Sequence, residues 1–148
     1  MPHRARPAVI LAAIAVLPFV WSVATQIAPG LADFGLRFMG PRFLGPYLAL
    51  GYGGMMLAAL SGVLFGLVLR VERPGWLPLA LIIPALWAFL FTGGGPVPAA
   101  LWLGAGYLVA LALDWLVWQR GLAPVWWFPL RAAQTAVILP CLIVTAFA

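Results

Sequence analysis

The stretch YLALGYGGMMLAALSGVLFGLVL, residues 47–69, contains no charged side chain and is threaded with small residues from end to end. At about 1.5 Å of rise per residue, a helix of this length crosses the roughly 30 Å of hydrocarbon in a bilayer. A strand is shorter, and a soluble helix carries a polar face. Four more apolar stretches extend the reading outward, and helices are expected over residues 8–28, 47–69, 76–91, 97–118 and 128–148. The predicted fold class is an all-α membrane protein: a five-transmembrane-helix bundle with a short interfacial segment between helices 1 and 2. It forms a single integral membrane domain over residues 1–148.

Composition supports the same reading. Of 148 residues, 66% are hydrophobic and 7% charged, which leaves too little polar surface for a soluble globule. Pro29-Gly30, Pro74-Gly75, Gly93 to Pro96 and Gly121 to Pro124 mark the expected turns. Pro18, Pro84 and Pro140 lie inside predicted helices and are expected to kink them. Ser22-Val23-Ala24 resembles a signal-peptidase site, but the apolar run continues through Ile27-Ala28, so helix 1 is read as uncleaved.

The net charge of +5 comes from arginines scattered beside the apolar runs, which orients a membrane chain and does not mark a nucleic-acid partner. Arg4, Arg6, Arg70, Arg73, Arg120 and Arg131 fall on one side of a five-span chain and Arg37 and Arg42 on the other. The richer side is cytoplasmic, so the N-terminus is expected in the cytoplasm and the C-terminus in the periplasm. The connection from Pro29 to Pro46 then lies outside, with Asp33 and Arg37 placed to pair on a short helix while Leu31, Phe34 and Phe38 enter the interface.

Sites for chemistry are few. Single His3 and single Cys141 exclude the common zinc and bis-histidine haem sets, so neither metal nor cofactor is expected. Gly93-Gly94-Gly95 lacks the Lys-Ser/Thr of a phosphate loop, and no nucleophile triad or paired intramembrane carboxylates are found. The chain is therefore read as non-enzymatic. Gly54, Ala58, Gly62 and Gly66 recur every fourth residue and form a ridge for close helix packing, within the bundle or against a partner. Gly106, Ala110 and Asp114 form a shorter stripe that is expected to face it. Asp114 is the one ionisable side chain clearly inside a span, about one turn from its cytoplasmic end, and Arg131 or Arg120 is its expected ion-pair partner; the competing role is a proton or cation site. Trp76, Trp115, Trp118, Trp126 and Trp127 cluster at the predicted cytoplasmic ends as interfacial anchors, whereas Trp87 lies deeper, near Pro84.

Leu17-Pro18-Phe19, Tyr52-Gly53, Ser61 to Gly66, Leu113-Asp114, Gly121 to Trp126 and Arg131 occur in an order that resembles the transmembrane protein 69-like family. That family consists of small multi-span proteins of bacteria and mitochondria with no assigned function. The resemblance implies a bundle in the bacterial inner membrane, or less directly the mitochondrial one, and implies no reaction. Size and tryptophan content are also similar to the tryptophan-rich sensory protein family, but Trp126 to Pro129 precede the last helix here and not the second. Two functions follow as expectations. The first is an accessory or assembly subunit of a larger membrane complex, such as a respiratory one, with the bilayer and other membrane subunits as partners. The second is a small-molecule or lipid-binding protein or minimal transporter with a site near Asp114 and Trp87.

Overall fold

The computed structural model describes residues 6–148, all of whose regular structure is helical. The helices are α1 (Arg6–Ile27), α2 (Pro29–Phe38), α3 (Gly45–Val68), α4 (Leu77–Phe91), α5 (Pro96–Gln119) and α6 (Trp127–Phe147), with a 3-10 turn at Pro41–Phe43 before α3. Four of them, α1, α3, α5 and α6, are long and apolar enough to cross a membrane. The expected five spans are thus four, plus the shorter α4. Its 15 residues give about 22 Å of helix, because turns at Pro74-Gly75 and Gly93 to Gly95 close in on both sides. His3 and Arg4 lie outside the described residues.

Pro29-Gly30 is not the expected turn. Proline excludes the helical conformation for the residue before it and suits the first helical position itself. Ala28 is accordingly extended (φ −112°, ψ 102°), and α2 begins at once. This helix packs the tilted rings of Phe34 and Phe38 at 4.8 Å and leaves both outward, as an interfacial segment requires. Asp33 and Arg37 stand one turn apart on α2, yet no ion pair joins them among the described residues.

Cross-helix contacts fix the directions. Ala12 and Gln26 of α1 meet Gln134 and Thr145 of α6, so these helices run parallel. Gly53 meets Leu103 and Leu57 meets Gly106, so α3 and α5 run parallel to each other. Ser22 of α1 meets Gly45 of α3, while Leu64 and Val68 pack with Leu77 and Leu81 of α4, so consecutive long elements alternate in direction.

Within this arrangement α3 supplies hydroxyls to the proline-broken helices. Pro18 and Pro84 each remove the backbone donor to the carbonyl four residues earlier, Ile14 and Ala80. The Tyr52 hydroxyl donates to the Ala15 carbonyl at 2.9 Å, and the Ser61 hydroxyl donates to the Leu81 carbonyl. Both acceptors lie three residues before the proline of their helix, one residue past the carbonyl that loses its donor. α1 and α4 continue as helices through Pro18 and Pro84.

Close approach depends on glycines other than the expected ridge. A Cβ on Gly53 would stand 2.7 Å from the Leu103 side chain and 3.1 Å from Phe19; one on Gly106 would stand 2.7 Å from Trp87 and 2.8 Å from Leu57. Gly54, Gly62 and Gly66 have nothing within 4 Å of the same position, so the ridge does not pack inside the bundle and Gly106 does not face it. Sequence spacing identifies a small-residue face, but lipid is as apolar as a protein core and does not reveal where that face points. Gly106→Val should therefore lower stability by about 1–3 kcal/mol through overpacking, whereas Gly62→Val should leave the thermal midpoint of the isolated chain in detergent unchanged.

Candidate functional site

The turn between α5 and α6 sets the polar centre of the molecule. Gly121 adopts φ +71°, its N–H donates to the Trp118 carbonyl at 2.9 Å, and the Leu122 N–H donates to the Val117 carbonyl at 3.1 Å. This is a Schellman closure, with glycine supplying the left-handed residue. The Trp118 indole then donates to the Val125 carbonyl at 3.1 Å and stacks on Phe128 at 5.5 Å, tying the turn to the first residues of α6.

Thus placed, α6 directs Trp127 and Arg131, one turn apart, at Asp114. The Trp127 indole N–H donates to Oδ1 at 2.6 Å, and Arg131 Nε donates to Oδ2 at 3.0 Å. Arg131 Nη1 donates to Gln134 Oε1 at 2.8 Å, and Gln134 Nε2 donates to the Ala12 carbonyl of α1 at 3.1 Å. The chain of bonds links α5, α6 and α1. Both charged side chains are buried, Asp114 to 1% exposure. Arg131 Nη2 and the Thr135 hydroxyl, also one turn apart, have no hydrogen-bond partner among the described residues.

Of the two arginines expected near Asp114, only Arg131 reaches it. Arg120 is exposed and its guanidinium lies over the Trp76 ring at 5.6 Å, because it caps α5 beyond the end of the hairpin. Trp76 and Trp115 present exposed rings at this end of the bundle, and Trp126 packs at 6.1 Å from Trp127. Trp127 itself is a ligand of the carboxylate and not simply an anchor. A lone tryptophan four residues before an arginine carries no signal for that bond; Arg131 and Gln134 at i, i+3 in an apolar helix do signal a shared buried partner.

Trp87 does not join Asp114. Its indole donates to the Trp102 carbonyl at 2.7 Å, packs over Gly106 and meets Phe91 and Trp102 at 4.8 and 5.7 Å. Gly106 and Asp114 are two turns apart on α5, about 12 Å along the axis, so Asp114 and Trp87 belong to separate places.

A second polar cluster, which the sequence reading missed, joins the far ends of α1, α3 and α6. The Ser22 hydroxyl donates to the Gly45 carbonyl at 2.6 Å, Thr25 Oγ1 accepts the Gly45 N–H at 2.9 Å, and Gln26 Nε2 donates to Thr145 Oγ1 at 3.2 Å. Ser22, Thr25 and Gln26 fall on one face of α1, and that i, i+3, i+4 pattern was the available sign.

Asp114 has both carboxylate oxygens occupied by donors of its own chain, Trp127 and Arg131. Among the described residues there is no cluster of His, Cys, Asp and Glu able to hold a metal ion. A family model described as "Protein of unknown function (DUF3429)" matches residues 4–147.

The chain belongs to DUF3429. No curated protein and no solved structure matches it. For this DUF3429 member, the site consists of a buried ion pair that fixes helices and an outward glycine ridge on α3.

The ion pair gives a direct test. Removing one partner of a buried pair strands the other charge and costs about 3–5 kcal/mol. Asp114→Asn should sharply lower the thermal midpoint in detergent, and Asp114→Leu combined with Arg131→Met should recover much of the loss. Unchanged stability of Asp114→Asn would show that the pair does not hold the hairpin.

Proposed function

We propose that this protein is a non-catalytic accessory or assembly subunit of a larger complex in the bacterial inner membrane, a respiratory assembly being the narrower form of the reading. The observation that carries it is the outward ridge Gly54, Ala58, Gly62 and Gly66. Gly62 and Gly66 are exposed, and the three glycines have open space where a Cβ would stand. Small residues facing lipid gain nothing from it, whereas they let another helix approach its backbone closely, which is how membrane helices associate.

In this reading α4 counts as a fifth crossing, since it runs antiparallel to both neighbours, and the termini lie on opposite sides. Arg131 is buried in its ion pair and does not bear on orientation. Arg6, Arg70, Arg73 and Arg120 still outnumber Arg37 and Arg42, which favours a cytoplasmic N-terminus.

Extraction of the tagged chain from its native membrane in mild detergent should yield a stoichiometric protein partner. Gly62→Leu should release that partner without lowering the stability of the chain itself. Recovery of a free monomer, or a partner that survives Gly62→Leu, would defeat the proposal. For orientation, a C-terminal alkaline phosphatase fusion should be active and a C-terminal fluorescent-protein fusion dark.

A further inference from the structure

Where α1, α2 and α3 meet, two grooves open on either side of one wall. Phe43, Leu48 and Tyr52 line both grooves and form that wall. It is held in place from behind. Tyr52 bonds the Ala15 carbonyl and sets its ring edge-on to Phe19 at 5.6 Å, and the Phe43 carbonyl accepts the Trp21 indole at 3.1 Å.

The first groove, about 660 Å³, runs between Leu17, Pro18 and Trp21 of α1 and Phe34 and Met39 at α2. Its lining is apolar side chains. The second, about 490 Å³, follows α3 past Tyr47, Gly51 and Met55, with Arg42 among its lining residues. Gly51 has nothing within 4 Å of its missing Cβ, so this groove is open down to the helix backbone. Arg42 is exposed and has no ion-pair partner among the described residues.

We propose that this forked cleft holds one anionic glycerophospholipid, with its phosphate on Arg42 and one acyl chain in each groove. The shape matches two hydrocarbon tails diverging from one head, whereas a partner helix fills a single straight groove. The charge matches as well, since a guanidinium binds a phosphate through parallel hydrogen bonds. The depth agrees with both: α2, with Phe34 and Phe38 outward, belongs at headgroup level, and Arg42 follows it immediately in the chain. The inference goes beyond the subunit reading and does not depend on it.

The full-length chain would be reconstituted in nanodiscs of equal parts phosphatidylglycerol and phosphatidylcholine, each tested with a photoreactive group on its acyl chains, and labelled peptides would be mapped after illumination. Labelling by phosphatidylglycerol should concentrate on the segments carrying Trp21, Phe43 and Gly51 to Met55. It should exceed labelling by phosphatidylcholine by about fivefold, the factor that one arginine near an anionic surface contributes. Arg42→Gln should abolish that preference, and Gly51→Leu should remove labels from the α3 groove while leaving those at Trp21. Tryptophan-monitored melting would verify that both variants fold, as expected for changes at outward positions. Equal labelling by the two lipids, a preference that persists in Arg42→Gln, or labels spread round the whole bundle would overturn the proposal. So would protection of the cleft by a second copy of the chain, seen as a cross-linked dimer.

Discussion

A guanidinium and a carboxylate inside an apolar bundle are tolerable only together, and the rest of the structure is arranged around meeting that condition at Arg131 and Asp114. Each charge removed from water costs several kcal/mol by itself. The pair therefore fixes the register of α5 against α6 far more tightly than interchangeable leucine contacts do. The requirement propagates. Gly121 turns the chain so that Trp127 and Arg131 face the carboxylate together, and Gln134 carries the network to the Ala12 carbonyl, which positions α1. A polar bond in lipid thus decides helix order, where a soluble protein would leave this to burial of apolar area.

The same logic explains why α3 is at once the most small-residue-rich helix and the structural hub. α3 places the Tyr52 and Ser61 hydroxyls on the Ala15 and Leu81 carbonyls of α1 and α4, since lipid offers a buried hydroxyl no other partner. Reaching them requires short interhelical distances. Gly53 provides one by accepting Leu103 and Phe19 against its backbone, and its carbonyl takes the Tyr107 hydroxyl at 2.9 Å. The inward glycine is spent on the fold. The outward ones are not, and that contrast is what makes them informative.

The sequence reveals helices more readily than it reveals directions. Apolar runs and their breakers place the long helices within two residues of their observed ends, because leaving a backbone group unpaired in hydrocarbon is prohibitive and helix is the local remedy. Proline at Pro29 misleads, since the same residue that ends one helix starts the next. The Asp114–Arg131 pair is legible because a lone intramembrane acid demands a base, and Arg120 competes with Arg131 on paper only because sequence distance does not show which of them the turn carries inward. The direction of the glycine ridge is not legible at all. In water an outward face is polar; in lipid both faces of α3 are equally apolar, so a four-residue spacing reads the same whether it meets Leu103 or nothing.

One face of α3 carries both unexplained surfaces. By helical geometry Tyr47, Gly51 and Met55 project in nearly the same direction as Gly54, Ala58, Gly62 and Gly66, so the α3 groove and the ridge are successive segments of one strip. Gly51 and Gly62 are eleven residues apart in the sequence, about 16 Å along the axis. A helix packed on small residues crosses at about −40° and separates from its neighbour away from the crossing point. A partner seated at Gly62 would therefore diverge from α3 near Gly51, leaving a wedge at the headgroup end beside Arg42. A lipid in that wedge would touch both proteins, so the ridge and the cleft need not compete: the lipid would complete the surface that the crossing angle leaves open.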